Sequence, residues 1–196
     1  MKKQLDALGC DKYRISIIPE NGKPYLPGKP AGKNSIESFY SKRDIENMIP
    51  YLRYENNSGK NIFVTPFDDH AYYILLDDSK KSLEEIKALG FQPCIFQNSS
   101  WESAQAIFKI SKDFDREKQV LPYFNEINQK WGDEKITGLR HPFRLAGFRN
   151  MKQKHLKEGQ RPFVKIIDAV NVFCKKTMDI IKIKYPSKTK TSDLKL

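Results

Sequence analysis

The chain has 196 residues and a mass of 22.9 kDa, a length that suits one domain with a short appendage. Its 35 Lys and Arg outnumber its 24 Asp and Glu to give a formal net charge of +11, and a basic surface of this kind attracts phosphates and nucleic acids. The sequence has no apolar run long enough for a membrane helix, no signal peptide and no cysteine pair spaced for zinc, so a cytoplasmic protein without membrane or zinc partners is expected.

The first part of the chain predicts two helices, a strand and a loop. A helix over Lys2–Leu8 should end at Gly9, and the alternation of β-branched residues over 13–18 predicts a strand. The glycines and prolines of residues 20–34 predict a loop. Ser41 then precedes a set of apolar residues at helical spacing, which predicts one helix. This set is Ile45, Met48, Ile49 and Leu52.

The middle of the chain is rich in short apolar runs. Residues 61–66 and 71–76 flank the segment PFDDH and together predict a β-hairpin. Ser82, with a glutamate three residues later, forms a capping box that should start a short helix. Residues 93–97 and 103–110 then predict two more strands around the turn NSSWE.

The C-terminal third predicts a long helix, a strand and a final helix. The long helix covers residues 113–131, and Pro122 should kink or split it. Residues 162–167 predict a strand, and Asp168 is expected to cap the last helix. Its apolar face would carry Val170, Cys174, Met178 and Ile181. The whole order predicts an α+β (mixed α/β) fold on a largely antiparallel sheet, with an RNA-recognition-motif-like core and added helices.

Two adjacent carboxylates, Asp77 and Asp78, end the apolar segment YYILLDD. Buried carboxylates at the end of a strand need a cation or open water, and carboxylate oxygens suit Mg²⁺ or Mn²⁺. Because neighbouring strand residues point to opposite faces, these two side chains converge only if a bulge or turn begins at Asp78. Asp133, in the turn WGDE, offers a third carboxylate. The alternative is that the aspartates merely open a turn and cap the next helix.

Residues 139–155, LRHPFRLAGFRNMKQKH, contain no acidic residue and many basic ones. The interleaved apolar side chains should anchor this segment to the core, while its arginines and lysines suit the oxygens of a triphosphate. A cationic segment beside a carboxylate cluster is what nucleotidyl transfer requires. An ordinary basic, solvated surface is the alternative. The cationic residues are Arg140, His141, Arg144, Arg149, Lys152, Lys154 and His155.

Several segments, in order over residues 5–167, resemble the RepB-like primases of mobilisable plasmids, a divergent branch of the archaeo-eukaryotic primase superfamily. The matching segments are LDALGCDKYRISI, NIFVTP, YYILLDD preceded by a histidine, NSSWESAQAIFKI, RHPFRLAGFRNMKQKH and QRPFV. The resemblance implies a DNA primase, that is, a nucleotidyltransferase that uses two metal ions. Such an enzyme joins nucleoside triphosphates into short primers on single-stranded DNA, with a replicative helicase or a mobilisation protein as a further partner.

The resemblance also implies roles for single residues. Asp77 and Asp78 match the metal-binding pair, and Asp133 stands where the family has its third catalytic carboxylate. Residues 1–167 would form the catalytic domain, followed by a helix over 168–184 and a basic flexible tail over 185–196. The broader superfamily often has a histidine after the serine of its second motif, and this chain has none. The residues that would contact nucleotide or template are Ser100, Arg140, His141, Arg144, Asn150, Lys152, Lys154 and His155.

Three other functions remain open from the residues alone. A non-catalytic single-stranded nucleic-acid-binding module would stack bases on exposed aromatic residues such as Tyr72 or Phe96. A metal-dependent nuclease would use the same carboxylates to activate water. An accessory replication protein that has lost its activity is the third, although the complete set of three aspartates argues against it.

Overall fold

A three-stranded antiparallel sheet forms the N-terminal part of the fold, as seen in a computed structural model that describes residues 1–27, 39–136 and 138–187. The strand β1 (Lys12–Ile18) pairs along its whole length with β2 (Asn61–Phe67), and β2 pairs on its other side with β6 (Phe143–Arg144). Alternate residues of β1 are buried, as its sequence pattern requires. This sheet therefore joins the N-terminal strand to the basic segment 139–155.

A second sheet, of four antiparallel strands, carries the aspartate pair. Its order is β3 (Ala71–Leu76), β5 (Ala104–Ser111), β4 (Ile95–Asn98) and β7 (Lys165–Ala169). The predicted pair of strands around NSSWE is confirmed as the β4–β5 hairpin. The largely antiparallel sheet expected from the sequence is confirmed as well, since all pairings between the named strands in the described residues are antiparallel.

The hairpin predicted between β2 and β3 is wrong. These two strands lie in different sheets, because β2 pairs with β1 and β6 while β3 pairs with β5. The segment between them, residues 68–70, turns the chain from one sheet to the other and is held by the Asp68 carboxylate, which accepts a hydrogen bond from the backbone N–H of His70 at 2.8 Å. The chain thus passes directly from one sheet to the strand that carries Asp77.

The helices follow the sequence pattern with two differences, a divided helix after Ser41 and a later start of the last helix. The helix predicted after Ser41 is two helices, α2 (Lys42–Asn47) and α3 (Ile49–Asn57), because Pro50 fits only the first turn of a helix. The long helix after residue 113 begins as a π-helical turn and continues as α5 (Leu121–Trp131) with Pro122 in its first turn, so the predicted split is confirmed.

The start of the last helix was placed too early. Asp168 lies within β7 and its carboxylate accepts a hydrogen bond from Lys87 Nζ at 2.6 Å, while the helix α6 (Lys175–Lys184) begins after Cys174. The backbone N–H and C=O groups of residues 165–169 form hydrogen bonds with β4. The periodicity of the apolar residues does not reveal this pairing. The predicted tail falls mostly outside the described residues, and so do residues 28–34 of the predicted loop 20–34.

The two sheets are joined by the first helix, α1 (Lys2–Leu8), which ends at Gly9 in a left-handed conformation, as predicted. Its buried face packs against the second sheet at β4 and β7, and its backbone accepts hydrogen bonds from Tyr13 of β1 and Tyr73 of β3. The capping box at Ser82 is also confirmed, at the start of α4 (Leu83–Ala88). No helix within the described residues is both long and apolar enough to cross a membrane.

Candidate active site

The aspartate pair lies in a tight turn at the end of β3. Asp78 has a φ of 45°, in the left-handed region, which aspartate tolerates better than most residues. The turn is fixed by its own backbone, because the N–H of Ser79 donates to Ala104 O and the N–H of Lys80 donates to Trp131 O, both at 2.8 Å. A turn therefore begins at Asp78, which is the condition under which the two side chains could converge. Because Asp78 lies in this turn, the side chains of Asp77 and Asp78 need not point to opposite faces of the strand.

Asp133 meets this turn through its backbone. Its N–H donates to the carbonyl of Asp77 at 2.9 Å, which places the WGDE turn directly beside the end of β3. Asn128 of α5, which is 1% exposed, supports the same junction: its amide donates to Leu75 O at 2.8 Å and its oxygen accepts from the N–H of Asp77 at 3.3 Å. Two chain segments 56 positions apart are thus held together at the carboxylate turn.

Gly132 makes this approach possible because a side chain would not fit. A Cβ atom at this position would lie 2.7 Å from Leu76 Cδ1 and 2.8 Å from the carbonyl oxygen of Asp77. Both distances are shorter than any ordinary van der Waals contact. The glycine therefore allows the turn that carries Asp133 to lie against the turn that carries Asp77.

We expect Gly132→Ala to destabilise the fold by about 1–3 kcal/mol, since the added methyl group overpacks the junction, and to lower catalytic activity by moving Asp133 away from Asp77. Chemical denaturation and an activity assay would measure the two effects.

Gly59→Ala is the matched control: Gly59 lies at φ 89° with no atom within 4 Å of the added Cβ. It should cost about 1–2 kcal/mol of stability through backbone strain alone and leave activity unchanged. Equal activity of the two variants would contradict this role of Gly132.

Three buried glutamines form a continuous hydrogen-bonded chain that ends on Asp77. Gln4 Nε2 donates to Gln97 Oε1 at 2.9 Å, Gln97 Nε2 donates to Gln105 Oε1 at 2.8 Å, and Gln105 Nε2 donates to Asp77 Oδ1 at 2.8 Å. Gln97 and Gln105 are opposite each other in the β4–β5 pairing. All three are at most 3% exposed, so these bonds lie in a region of low dielectric constant where they are strong.

The glutamine chain begins at the basic segment. The N–H of Ala146 donates to Gln4 Oε1 at 2.8 Å, and the carbonyl of Arg144 accepts from both Gln4 and Gln97. Along the chain each glutamine amide donates to the next side chain, and the last of these bonds, from Gln105, fixes the orientation of the Asp77 carboxylate. The segment 143–146 and the aspartate pair are therefore connected through the interior of the protein.

We expect Gln105→Leu to lower catalytic activity by about 10-fold or more and to destabilise the fold by about 1–3 kcal/mol, because Asp77 loses its orienting donor and the amide of Gln97 loses one of its two acceptors. The divalent-metal concentration that gives half-maximal activity should rise. In the control Gln97→Leu, which breaks the glutamine chain but leaves the bond from Gln105 to Asp77, this concentration should rise less. An equal rise in both variants would assign the glutamines a purely structural role.

Arg144 forms the centre of the cationic side of the site. It is 6% exposed, its Nη1 donates to Asn61 Oδ1 at 2.7 Å, and its guanidinium lies 4.9 Å from the centroid of the Phe63 ring. Burial lowers the pKa of Arg144 to about 10, and the nearby carboxylates of Asp77 and Asp78 oppose this shift. Arg144 therefore remains protonated at neutral pH and faces the aspartate pair from the other sheet.

A histidine and a lysine of the basic segment also lie within the field of the same aspartates. Burial lowers the pKa of His141, and the carboxylates of Asp77 and Asp133 oppose that shift. The pKa of Lys152 is lowered by burial and then by Arg144 and Lys154, while Asp77 and Asp78 act in the opposite direction. The basic segment and the aspartate turn thus face each other, which is the juxtaposition that nucleotidyl transfer needs.

The remaining residues that the sequence singled out occupy different places. His155 has a pKa lowered by burial and by neighbouring cations, with Asp78 opposing, so it borders the same region. Asn150 is 1% exposed; its amide donates to Ser99 O at 2.8 Å and its oxygen accepts from the N–H of Lys152 at 3.3 Å. Ser100 is also buried and its hydroxyl accepts a bond from the N–H of Ser103. Asn150 and Ser100 therefore hold their own loops in place. Their contact with nucleotide remains a prediction.

Two cavities border the cationic side. One of about 430 Å³ is lined by Lys152 and Lys154 together with Asn61 and Phe63, the two residues that hold Arg144. A smaller one of about 240 Å³ contains Arg140 and His141. A cavity of a few hundred Å³ is large enough for a small ligand, and the lysines supply charges for phosphate groups.

The aspartates retain oxygens suited to a divalent cation. Asp77 Oδ1 accepts from Gln105 and from the N–H of Asp78, and Asp133 Oδ1 accepts from the N–H of Lys135, while within the described residues the other oxygen of each accepts no hydrogen bond. Asp78 is exposed. Among the residues that the structure describes, no three His, Cys, Asp or Glu side chains converge closely enough to enclose a metal ion. One or two of these carboxylates would suit Mg²⁺ or Mn²⁺, because proteins commonly hold these ions with one or two carboxylates together with water and substrate phosphates.

The comparisons with known proteins agree on one family. A family model described as the RepB DNA-primase N-terminal domain matches residues 11–191. A DNA primase of Acidithiobacillus ferrooxidans is 29% identical over 185 residues, which are 90% of this chain and 52% of that protein. The mobilization protein A of Escherichia coli is 26% identical over 165 residues, which are 83% of this chain and 22% of that protein. The chain thus spans about half, or less, of the length of these relatives.

Solved structures share the fold. The catalytic domain of primase RepB′, in complex with initiator DNA, superposes with a TM-score of 0.74 at 22% identity, covering 92% of this chain and 89% of that one. The AEP domain of the cyanophage S-2L primase-polymerase gives a TM-score of 0.53 at 13% identity, covering 90% and 94%. These similarities confirm the predicted α+β fold class, which this chain shares with both primase domains.

Proposed function

Because the chain belongs to the RepB DNA-primase N-terminal domain family, we propose that it is the catalytic part of a DNA primase that synthesises short primers on single-stranded DNA. In this reaction the 3′-oxygen of one nucleotide bonds to the α-phosphorus of the next nucleoside triphosphate, and pyrophosphate leaves. The observation that carries the proposal is the pairing of the Asp77–Asp78 turn on one sheet with the buried Arg144 of the other.

Each side of the site has its own task. Asp77 and Asp78, with Asp133 beside them, would hold one or two divalent cations, Mg²⁺ or Mn²⁺, through the carboxylate oxygens that accept no hydrogen bond within the described residues. Bound metal supplies Lewis-acid stabilisation of the phosphates and a lower pKa for the attacking hydroxyl. The glutamine chain keeps Asp77 in one orientation, so the carboxylate does not have to reorganise during the reaction.

The cationic side receives the triphosphate. Arg144 is fixed by Asn61 and Phe63 before any substrate binds, so its planar guanidinium meets phosphate oxygens with little loss of conformational entropy. Lys152 and Lys154, which line the adjoining cavity, act as point charges on the same group. His141, Arg140 and His155 border this region and contact the nucleotide or the DNA strand. The proposal also includes association with a replicative helicase or a mobilisation protein. One relative of the chain, from Escherichia coli, is named mobilization protein A.

A priming assay tests the proposal directly. Single-stranded circular DNA, labelled nucleotides and Mg²⁺ or Mn²⁺ are combined with the protein, and short labelled products are expected. EDTA should abolish the products and added metal should restore them. Loss of the circular template without incorporation of label would instead indicate a metal-dependent nuclease. DNA binding without either reaction would indicate a non-catalytic nucleic-acid-binding module.

A further inference from the structure

Two exposed aromatic side chains lie away from the aspartate turn and line a common groove. Trp101, in the β4–β5 turn, is 47% exposed, and Phe163, just before β7, is 45% exposed. The groove has a volume of about 410 Å³. Water-exposed rings of this size are costly unless a partner covers them, so these two indicate a binding surface.

The same groove is cationic. Arg149, Arg161 and Lys165 line it, and none of its lining residues is acidic. The guanidinium of Arg149 lies 4.9 Å from the centroid of the Phe163 ring, so the cation and the ring form a cation–π pair. Lys165 is exposed on β7. Flat apolar faces interleaved with positive charges are complementary to unpaired bases joined by phosphates.

The rings are held in fixed positions. The indole N–H of Trp101 donates to the carbonyl of His155 at 3.0 Å. The backbone around Phe163 is paired with the segment 148–150: the N–H of Asn150 donates to Pro162 O at 2.8 Å, and the N–H of Val164 donates to Phe148 O at 2.9 Å. These bonds join the groove to the end of the basic segment, so a strand bound in the groove continues toward the candidate active site.

We propose that the Trp101–Phe163 groove binds a segment of single-stranded DNA, with bases stacked on the two rings and backbone phosphates on Arg149 and Lys165. This inference deepens the proposed function and rests on it, because the bound strand is taken to be the template. Duplex DNA does not fit, since its bases are paired and their faces are stacked on one another. The site binds without strong sequence preference, because every base has a face that can stack.

Tryptophan fluorescence reports on the groove directly. The chain has two tryptophans, and Trp131 is packed against Phe91 with ring centroids 5.5 Å apart, so Trp131→Phe leaves Trp101 as the only emitter. Titration with a thymidine oligonucleotide, in EDTA and without nucleotides, should quench this emission. Equal quenching by a blunt duplex or by thymidine triphosphate at the same phosphate concentration would overturn the proposal.

Substitutions test the same groove by affinity. In a filter-binding or anisotropy assay, Trp101→Ala and Phe163→Ala should each weaken binding of the oligonucleotide by about 5- to 150-fold. Tyr54→Ala, which removes a 68% exposed aromatic residue from α3, should leave the affinity unchanged. Unchanged affinity in both groove variants would refute the proposal. Because the assay contains neither metal nor nucleotide, a groove that binds DNA in a protein that makes no primers would refute only the proposed catalytic function.

Discussion

The Asp77→Asn variant should lose primer synthesis by about 1,000-fold or more, which corresponds to about 4 kcal/mol of transition-state stabilisation. The substitution is isosteric and its amide oxygen can still accept the hydrogen bond from Gln105, so the fold should keep its stability within about 1 kcal/mol. What the variant loses is one negative charge and one oxygen ligand at the end of β3. The measurement is the priming assay, with thermal unfolding as the test of folding.

The control for this variant is Asp69→Asn. Asp69 is an exposed aspartate in the turn before β3, so the same chemical change is made outside the site. This control should prime at the wild-type rate. Mn²⁺ should also raise the melting temperature of the wild type and of Asp69→Asn more than that of Asp77→Asn, because metal binding to the native state stabilises it. Normal priming by Asp77→Asn would contradict the assignment of the metal site.

Arg144→Lys should lower kcat/KM for the nucleotide by about 100-fold, or about 2.7 kcal/mol. Lysine keeps the positive charge but loses the planar fork that bonds to Asn61 and stacks on Phe63, so it cannot meet phosphate oxygens in the same geometry. Burial lowers the pKa of Arg144 to about 10, and the same burial should lower the pKa of a lysine at this position. The activity of the variant should therefore fall as the pH rises through that lowered pKa, while Arg144 in the wild type stays charged.

Steady-state kinetics over a range of pH would measure both effects. Arg53→Lys, on the exposed side of α3, provides the matched control and should behave like the wild type. A loss smaller than about threefold in Arg144→Lys, with no new dependence on pH, would show that Arg144 supports the fold without contacting substrate.

Local patterns in the sequence predicted most helices and strands correctly, but not their partners. Residues 61–66 and 71–76 have the composition of a hairpin, yet the alternation of apolar residues states only which face of a strand is buried and not which strand lies beside it. Phe96 is a related case. It is predicted from the sequence as an exposed ring for stacking bases, but it is 5% exposed and belongs to the hydrophobic core. The two exposed rings that line a common groove, Trp101 and Phe163, lie on irregular segments where periodicity gives no information.

The resemblance to RepB-like primases predicted the family and the fold, and the structure adds the polar residues that support the site. Asp77, Asp78 and Arg144 were identified from the motifs that contain them. Gln105 and Asn128 were missed, because a single polar residue in a buried strand or helix has no regular spacing. The signal that could have found Gln105 is its place in AQAIFKI, where a buried amide requires a polar partner inside the protein.

The first helix is part of the site and not only of the scaffold. Gln4 accepts a hydrogen bond from the N–H of Ala146 and donates one to Gln97, the next member of the glutamine chain that ends on Asp77. Gln4 nevertheless lies before residue 11, where the family match begins. A domain boundary drawn from sequence similarity would remove this amide and leave Gln97 without its donor in a dry interior. The smallest fragment that could be transplanted or fused with the glutamine chain intact therefore includes the first helix.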